Sequence, residues 1–524
     1  MSNEFQQRLE QLMASSSVGL LRGIRRGVEK ESLRVTPDGH LAQTPHPKAL
    51  GSALTHPYIT TDYSEALLEF ITPPVSTPEQ VIDWLLDLHA YTYQHMGDEF
   101  LWVSSMPCTL TQEKDIPIAY YGTSNLGQMK HIYRHGLAHR YGKAMQIIAG
   151  IHFNFSFSDD FWQKYQQILG DKQALTEFKN QQYFGMMRNF MRYSWLIVLL
   201  FGASPAVCRS FLKNDPPSDI ETFSSNTLYV PQGTSLRMSD LGYQNRKQSS
   251  FKVSYNSLQE YVHDLQVAVN ALEPDYLQYG DVAHGQDNQL TANILQIEAE
   301  YYSPIRAKCT PEANERPTHA LHNRGVEYIE VRVIDLDPYE PVGINAFQLR
   351  FLESFLLMCL LEPSPSFTEQ DMQENKANLR AVVYQGRNYN TKLHFGGTET
   401  TVQTKADELW QNIQACAQLL DEHHEHALYQ SATTLMHDKF NNPEQLSSSR
   451  VLKDMEKHYD CGFFKFTQDN SKQHQEIFRQ HTIQPATLKI LDELAQKSLA
   501  KQQQYESNDK LSLADYVQQY LAKE

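Results

Sequence analysis

Apolar and polar residues alternate strictly through Ile151-His152-Phe153-Asn154-Phe155-Ser156-Phe157. A period of two marks a strand with two unlike faces. Ile151, Phe153, Phe155 and Phe157 fall on one face; His152, Asn154 and Ser156 fall on the other. Three more stretches read as strands. Residues 27–35 put Glu29 and Glu31 side by side on one face. Residues 67–72, closed by Pro73-Pro74, set Glu69 as the one carboxylate of an apolar strand, with Asp62 in the Thr-rich loop just before it. Residues 325–335 place Tyr328, Glu330 and Arg332 opposite Ile329, Val331 and Val333.

Helical spacing predicts helices at 5–13, at 77–96 (Val81, Trp84, Leu85, Leu88 and Tyr91 at core positions), at 180–201, at 258–272 and at 347–361. Pro37-Asp38-Gly39 is a turn. Residues 107–127 are punctuated by Pro and Gly, and 234–243 form a polar and aromatic loop. The Lys-, Arg- and His-rich stretch 130–143 could face an anion, but reads for the most part as a solvated helix face. Glu298, Tyr302 and Arg306 would share a helical stripe only if a helix ran through Pro304. After residue 363 the chain turns Gln-, Glu-, Lys- and Ala-rich, with one strand signal at 391–395, and His423-His424-Glu425-His426 reads as solvated. The organisation expected is one large domain over 1–524: a sheet-bearing core at 15–362 and a mostly helical region at 363–524 packed on it.

Composition narrows the class. The chain has 524 residues, 41% hydrophobic and 21% charged, which is ordinary for a globular protein. A net charge of −16 argues against nonspecific nucleic-acid binding, yet leaves room for a nucleotide held by a local basic cluster. Six scattered cysteines without a CxxC motif fit a reducing compartment. The first twenty residues lack the features of a signal peptide, and the most apolar run, Trp195 to Phe201, is too short to cross a bilayer. A cytoplasmic protein with no membrane partner is expected.

Four strands, each with acid, amide, imidazole or guanidinium groups on one face, describe a sheet with one face on a core and one lining a polar cavity. Glu29, Glu31, Asp62, Glu69 and Glu330, with His152, could hold about two or three divalent ions, for which oxygen donors suit Mg2+ or Mn2+. Clustered cations neutralise phosphate oxygens, so phosphoryl transfer is the natural chemistry. No Walker A loop, GxGxxG turn or kinase signature occurs, so a nucleotide would be held through metals and Arg. On the residues alone, a metal-dependent phosphohydrolase and a non-catalytic metabolite binder stay open beside a ligase.

Several motifs extend this reading: Arg26-Gly27-Val28-Glu29-Lys30-Glu31-Ser32-Leu33-Arg34-Val35, Leu50-Gly51-Ser52-Ala53-Leu54-Thr55-His56, Glu65-Ala66-Leu67-Leu68-Glu69-Phe70-Ile71-Thr72-Pro73, Tyr121-Gly122-Thr123-Ser124-Asn125, Leu200-Phe201-Gly202-Ala203-Ser204-Pro205-Ala206, Ser239-Asp240-Leu241-Gly242-Tyr243 and Gly325-Val326-Glu327-Tyr328-Ile329-Glu330-Val331-Arg332. Through them the chain closely resembles the bacterial glutamate–cysteine ligases of the proteobacterial type, from about residue 23 to 362. The resemblance implies an α+β, glutamine-synthetase-like fold, with an antiparallel sheet forming a funnel-shaped active site and helices on its outer face. It implies ATP-dependent joining of the L-glutamate γ-carboxylate to the L-cysteine amine through γ-glutamyl phosphate, the first step of glutathione synthesis. By position, Glu29, Glu31, Asp62, Glu69, His152 and Glu330 are the implied magnesium ligands, and Arg332 the residue facing the phosphates or the glutamate carboxylate. Tyr133, Arg237, Tyr243 and Tyr302 are the implied walls of the acceptor site. A monomer is expected, with glutathione as a feedback inhibitor. Some relatives carry a cysteine pair near the counterparts of 375–397; this chain has no cysteine between Cys359 and Cys416, so that redox switch is not expected. A related ligase with another acceptor amine is the alternative within this fold.

Overall fold

The computed structural model describes residues 3–14, 18–110, 112–212, 216–242, 251–312, 315–422 and 426–522. Among the described residues, twelve strands occur in chain order: β1 (Arg25–Val35), β2 (Ile59–Thr61), β3 (Leu67–Ile71), β4 (Phe100–Leu101), β5 (Ile151–Ser156), β6 (Ala206–Cys208), β7 (Glu221–Ser224), β8 (Thr227–Tyr229), β9 (Ile305–Lys308), β10 (Tyr328–Ile334), β11 (Lys392–Phe395) and β12 (Thr398–Thr401). Six of them form the path β2-β3-β1-β5-β10-β9, with β4 added at the far end of β1. Every pairing in this sheet is antiparallel. The long β1 lies near its centre and shares edges with β3, β4 and β5, so the motif running from Arg26 to Val35 is the spine of the fold.

The helices are α1 (Asn3–Ala14), α2 (Pro78–Tyr93), α3 (Asn125–Tyr141), α4 (Asp159–Leu169), α5 (Leu175–Phe201), α6 (Leu258–Asn270), α7 (Pro317–Arg324), α8 (Ala346–Leu361), α9 (Glu369–Gln385), α10 (Val402–Asp421), α11 (Leu428–Asn441), α12 (Ser447–His458), α13 (Phe463–Gln480), α14 (Pro485–Asn508) and α15 (Leu513–Leu521). α2 packs against β1, and α5 against β9 and β10; α8 is gripped by α5, α10 and α11. α8 is apolar all round and nearly every residue of it is buried, as expected for a helix inside several layers. α13 and α14 reach back to α2, and α15 lies on α3. No helix among the described residues is long and apolar enough to cross a membrane.

The strands expected around Glu29 and Glu31, Glu69, His152 and Glu330 form as β1, β3, β5 and β10. Val28, Phe70, Phe153 and Val331 on the covered face are fully buried. The predicted helix at 180–201 begins earlier, at Leu175. Two differences are physical. After a single turn at Glu298–Glu300, Ile305–Lys308 joins the sheet as its edge strand, so Pro304 introduces a strand and no helical stripe forms. The 391–395 signal is half of a hairpin, β11 with β12, turned by Gly396 and Gly397 at positive φ. Of the 423–426 cluster, only His426 lies within the described residues.

The start of β1 is fixed from behind. Arg26 donates through Nε and Nη2 to both carboxylate oxygens of Glu353 on α8, at 2.6 and 2.9 Å, and Tyr429 of α11 donates to the same carboxylate at 2.6 Å. Both charges are buried. Removing one member of such a pair strands the other in low dielectric. Glu353→Ala is therefore expected to lower stability by about 3–5 kcal/mol in denaturant unfolding, whereas a change below about 1 kcal/mol would mean that the pair behaves like a surface one.

Candidate active site

Register assembles the predicted residues on one face. Glu31 stands opposite Glu69, Glu29 opposite His152, and Glu330 opposite both Asn154 and Arg306. Residues directly opposite on adjacent strands share a face. The face therefore carries, from β3 across to β9, Glu69, Glu31 with Glu29, His152 with Asn154, Glu330, and Arg306.

One oxygen or nitrogen from each of Glu29, His152 and Glu330 lies within 4.8 Å of the others. His152 Nδ1 is 3.2 Å from Glu29 Oε2, and Asn154 donates to Glu29 Oε1 at 2.9 Å. Glu330 receives Lys308 Nζ and Arg332 Nη1, each at 3.1 Å. Glu31 belongs to a second group with Glu69 and Asp62. Its Oε2 accepts the Gly150 N–H at 2.6 Å, and its Oε1 is 3.8 Å from His152 Nε2, so His152 links the two groups. Asp62 sits between β2 and β3, where its carbonyl oxygen accepts from Tyr121 Oη and Arg134 Nε at 3.0 and 2.5 Å.

Burial is the largest influence on each strand carboxylate and pushes every one upward. At Glu330 the charges of Lys308, Arg332, His152 and Arg306 outweigh it and hold the group well below the usual range. At Glu29 burial and Glu330 are outweighed by the hydrogen bond from His152 and by Lys308. Glu31 goes the other way: burial, then Asp62, push it up to about 8 against Arg237, Arg332 and the Gly150 N–H. At Glu69 every leading influence is upward: burial, then Glu29, Asp62, Glu31 and Glu330. The protein's own cations serve one side of the cluster and leave the other short of positive charge.

That shortage fits a bound divalent cation. The donors are carboxylate oxygens plus one imidazole, a set suited to Mg2+ or Mn2+. Burial, then Arg332, lower the His152 pKa and favour the neutral ring that a metal requires. His152 Nε2 is buried without a hydrogen bond among the described residues, although Glu31 lies beside it.

The remaining predicted residues surround this face unequally. Arg332 continues β10 beyond Glu330, and its guanidinium lies 5.8 Å from the Tyr302 ring centre. Tyr302 feels the charges of Arg237, Arg332 and Glu31. Tyr133, on α3, feels Glu300, Arg134, Arg306 and Asp62. Arg237 is fully buried behind Arg332: its Nη2 donates to the Arg332 carbonyl oxygen at 2.8 Å and its Nη1 is 3.9 Å from Asp335. Gly150 leaves the space that the Arg237 guanidinium fills: a Cβ there would lie 2.1 Å from Arg237 Nη2. Tyr243 lies outside the described residues.

The solvated-face reading of 130–143 is corrected. Lys130 is half-buried, 5.5 Å from the Tyr121 ring centre, and burial, then Arg134, push it down to about 8. Arg134 lies over the same ring at 4.7 Å while donating to Asp62. Arg140 pairs with Glu300 at 2.9 Å with both side chains fully buried. Composition cannot reveal this, because the partners come from residues 62, 121 and 300. Lys308 is a further site residue that sequence reasoning misses. Alternation through Ile305-Arg306-Ala307-Lys308 carries the signal, but four residues after a proline are too few to read as a strand with assurance.

The shifted Glu31 has a measurable consequence. Its native pKa of about 8 stands above the ordinary 4.5, so the metal-free folded protein holds a proton that the unfolded chain has released. Its contribution to stability is full below about 4.5 and is lost as pH rises through about 8. Metal binding must displace that proton, so Mg2+ affinity rises with pH over the same window. Calorimetry in two buffers of different ionisation heat should show proton release in wild type and less in Glu31→Gln; pH-independent affinity with no proton release would contradict the assignment.

Comparison with known proteins gives a consistent picture. The family model described as glutamate-cysteine ligase matches residues 9–382. The glutamate–cysteine ligase of Alcanivorax borkumensis is 50% identical over 520 residues, covering 98% of this chain and 99% of that protein. That of Pseudomonas entomophila is 44% identical, covering 95% and 93%. The crystal structure of the Francisella tularensis glutamate–cysteine ligase in complex with AMP superposes with a TM-score of 0.89 at 38% identity, covering 95% of this chain and 97% of that one. A bifunctional glutathione synthetase from Pasteurella multocida shares the fold, with a TM-score of 0.70 at 24% identity, over 90% of this chain and 54% of that one. The chain belongs to the glutamate–cysteine ligase family.

Proposed function

We propose that the carboxylate face of the sheet is the centre at which this ligase phosphorylates the γ-carboxylate of L-glutamate with ATP and passes the γ-glutamyl group to the amine of L-cysteine, giving γ-glutamylcysteine, ADP and phosphate. The observation that carries the assignment is the convergence of Glu29, His152 and Glu330 from three strands within 4.8 Å, beside a cation-poor group of Glu31, Glu69 and Asp62. AMP bound to the Francisella relative supports a nucleotide co-substrate.

About two or three Mg2+ or Mn2+ ions, held by Glu29, Glu31, Asp62, Glu69, His152 and Glu330, would supply charge neutralisation around the transferring phosphoryl group. The chain's own groups do the rest. Arg332 lies between Glu330 and Tyr302 and presents its guanidinium to the phosphates or to the glutamate carboxylate. A carboxylate is a poor electrophile; phosphorylation turns one of its oxygens into a leaving group. The cysteine amine then attacks the acyl carbon, and that oxygen leaves with phosphate. Tyr133 and Tyr302 wall the acceptor, giving a small thiol side chain an apolar surround. Arg237 acts from behind, orienting Arg332 through its carbonyl oxygen and lending positive charge to the Glu31 and Tyr302 region.

ADP release tests the reading. With ATP and Mg2+, full-rate release should require both amino acids and accompany a dipeptide with a free thiol. ADP formed at full rate without either would favour a phosphohydrolase, and a better acceptor than cysteine would move the chain to a sister ligase. Glu330→Gln should lower turnover by at least about 100-fold, of the order lost when one charge-stabilising group is removed, while leaving the unfolding transition in place. Full activity in that variant would remove Glu330 from the metal set. Glutathione contains the γ-glutamylcysteine unit and should compete with glutamate; purely noncompetitive inhibition against glutamate would place it elsewhere.

A further inference from the structure

The ligase chemistry leaves one side of α3 unused. His131 and His135 stand one turn apart, on the helix that also carries Lys130, Tyr133 and Arg134. Both imidazoles are half-buried, so solvent reaches them. His131 Nδ1 lies 2.7 Å from the carbonyl oxygen of Ala119. A carbonyl only accepts, so the ring proton sits on Nδ1 and Nε2 keeps its lone pair. This is how a protein presets a metal-ligating histidine: the far nitrogen is tied to a backbone oxygen and the near one is aimed outward. His135 Nε2–H donates to the His131 Nε2 lone pair at 3.1 Å, and the two rings stand edge to face at 75° with centres 4.7 Å apart.

That spacing is informative. Two nitrogens at roughly 2.0–2.1 Å from one ion are about 2.9 Å apart at a right angle and about 3.4 Å apart at the tetrahedral angle. The observed 3.1 Å falls between them, so one cation can replace the shared proton with little movement of either ring, His135 then carrying its proton on Nδ1. Both rings must be neutral to bind it, and burial, then His131, His139 and Lys143, push His135 down to about 4. Asp287 adds negative charge beside His135. The only group of three or more metal-binding side chains found close together among the described residues is Glu29, His152 and Glu330, so water would complete the coordination here.

We propose that His131 and His135 form a second metal site, at the surface of α3, for one imidazole-preferring divalent cation: Zn2+, Cu2+ or Ni2+. Mg2+ is disfavoured by donor type, because this pair offers it no oxygen ligand at all, unlike the carboxylate face. The two metal centres are thus sorted by chemistry, the carboxylate face for hard cations and the histidine pair for borderline ones. The pair also has a mechanical position. Ala119 N–H bonds Tyr63 O at 3.0 Å and Tyr120 N–H bonds Glu65 Oε2 at 2.8 Å, so His131 ties α3 to the segment flanking Asp62. A cation across the pair would stiffen that junction.

The test is a calorimetric Zn2+ titration of the full chain with Mg2+ in large excess, so that the carboxylate face is already filled. Co2+ absorbance reports the nitrogen ligation. Wild type should bind one equivalent; His135→Ala should bind it at least tenfold more weakly, His139→Ala should keep it, and His135→Ala should retain its Mg2+-dependent turnover. In the wild-type chain, Zn2+ should protect His131 and His135 from diethyl pyrocarbonate, read by peptide mass spectrometry, which needs no variant to fold. No bound equivalent, an equivalent that survives His135→Ala, or unprotected histidines would each overturn the site. The Zn2+ titration, the Co2+ absorbance and the histidine protection do not depend on ligase turnover, so the two metal assignments stand or fall separately.

Discussion

Mutual repulsion among carboxylates gathered on one sheet face is the constraint around which this molecule is built. Glu29, Glu31, Glu69 and Glu330 share that face, and Asp62 adds its charge from the turn beside it. No fold gains stability from such a cluster in low dielectric. It persists because Lys308, Arg332 and His152 answer one side, and because protons, or a cation in their place, answer the other. A bound cation would replace that protonation pattern by coordination, and on the proposed reading it would also supply charge neutralisation for the phosphates that ATP brings.

The supporting structure makes sense in this light. A site assembled from single residues on several strands needs an exact register, and a slip of one residue would turn every ligand into the core. Register is secured from the covered face by Val28, Phe70, Phe153 and Val331, and at the start of β1 by the buried Arg26–Glu353 pair. Behind Arg332, the chain Asp335–Arg237–Gly150–Glu31 couples one guanidinium to two strands, with Gly150 leaving the space. Helix α3 is similarly anchored through Arg134 on Asp62 and Arg140 on Glu300, which fixes where Tyr133 stands.

Much of this is legible in the sequence because strand alternation is local. Alternation places β5 and β10 and their polar faces, the paired glutamates mark β1, and an apolar run closed by two prolines places β3 around its single Glu69. Family motifs then extend the reading from chemistry to reaction. What is not legible depends on contacts distant in sequence. The charge-rich stretch on α3 resembles a solvated face because nothing within it names Asp62, Tyr121 or Glu300 as partners. Lys308 sits in a strand of four residues, and the burial of Arg237 follows from a glycine in β5's approach that composition cannot interpret. Opposite shifts at Glu330 and Glu31 likewise arise from where Lys308 and Asp62 fall in space.

The central claim is that this face transfers a phosphoryl group to a carboxylate, and one isotope measurement tests it most directly. Glutamate labelled with oxygen-18 in its γ-carboxylate is turned over with ATP, Mg2+ and cysteine in unlabelled water, and the released phosphate is analysed by mass spectrometry. Passage through an acyl phosphate predicts that each phosphate carries one oxygen-18 atom from glutamate. Phosphate free of label would mean that water or another acceptor took the phosphoryl group, and would contradict the account.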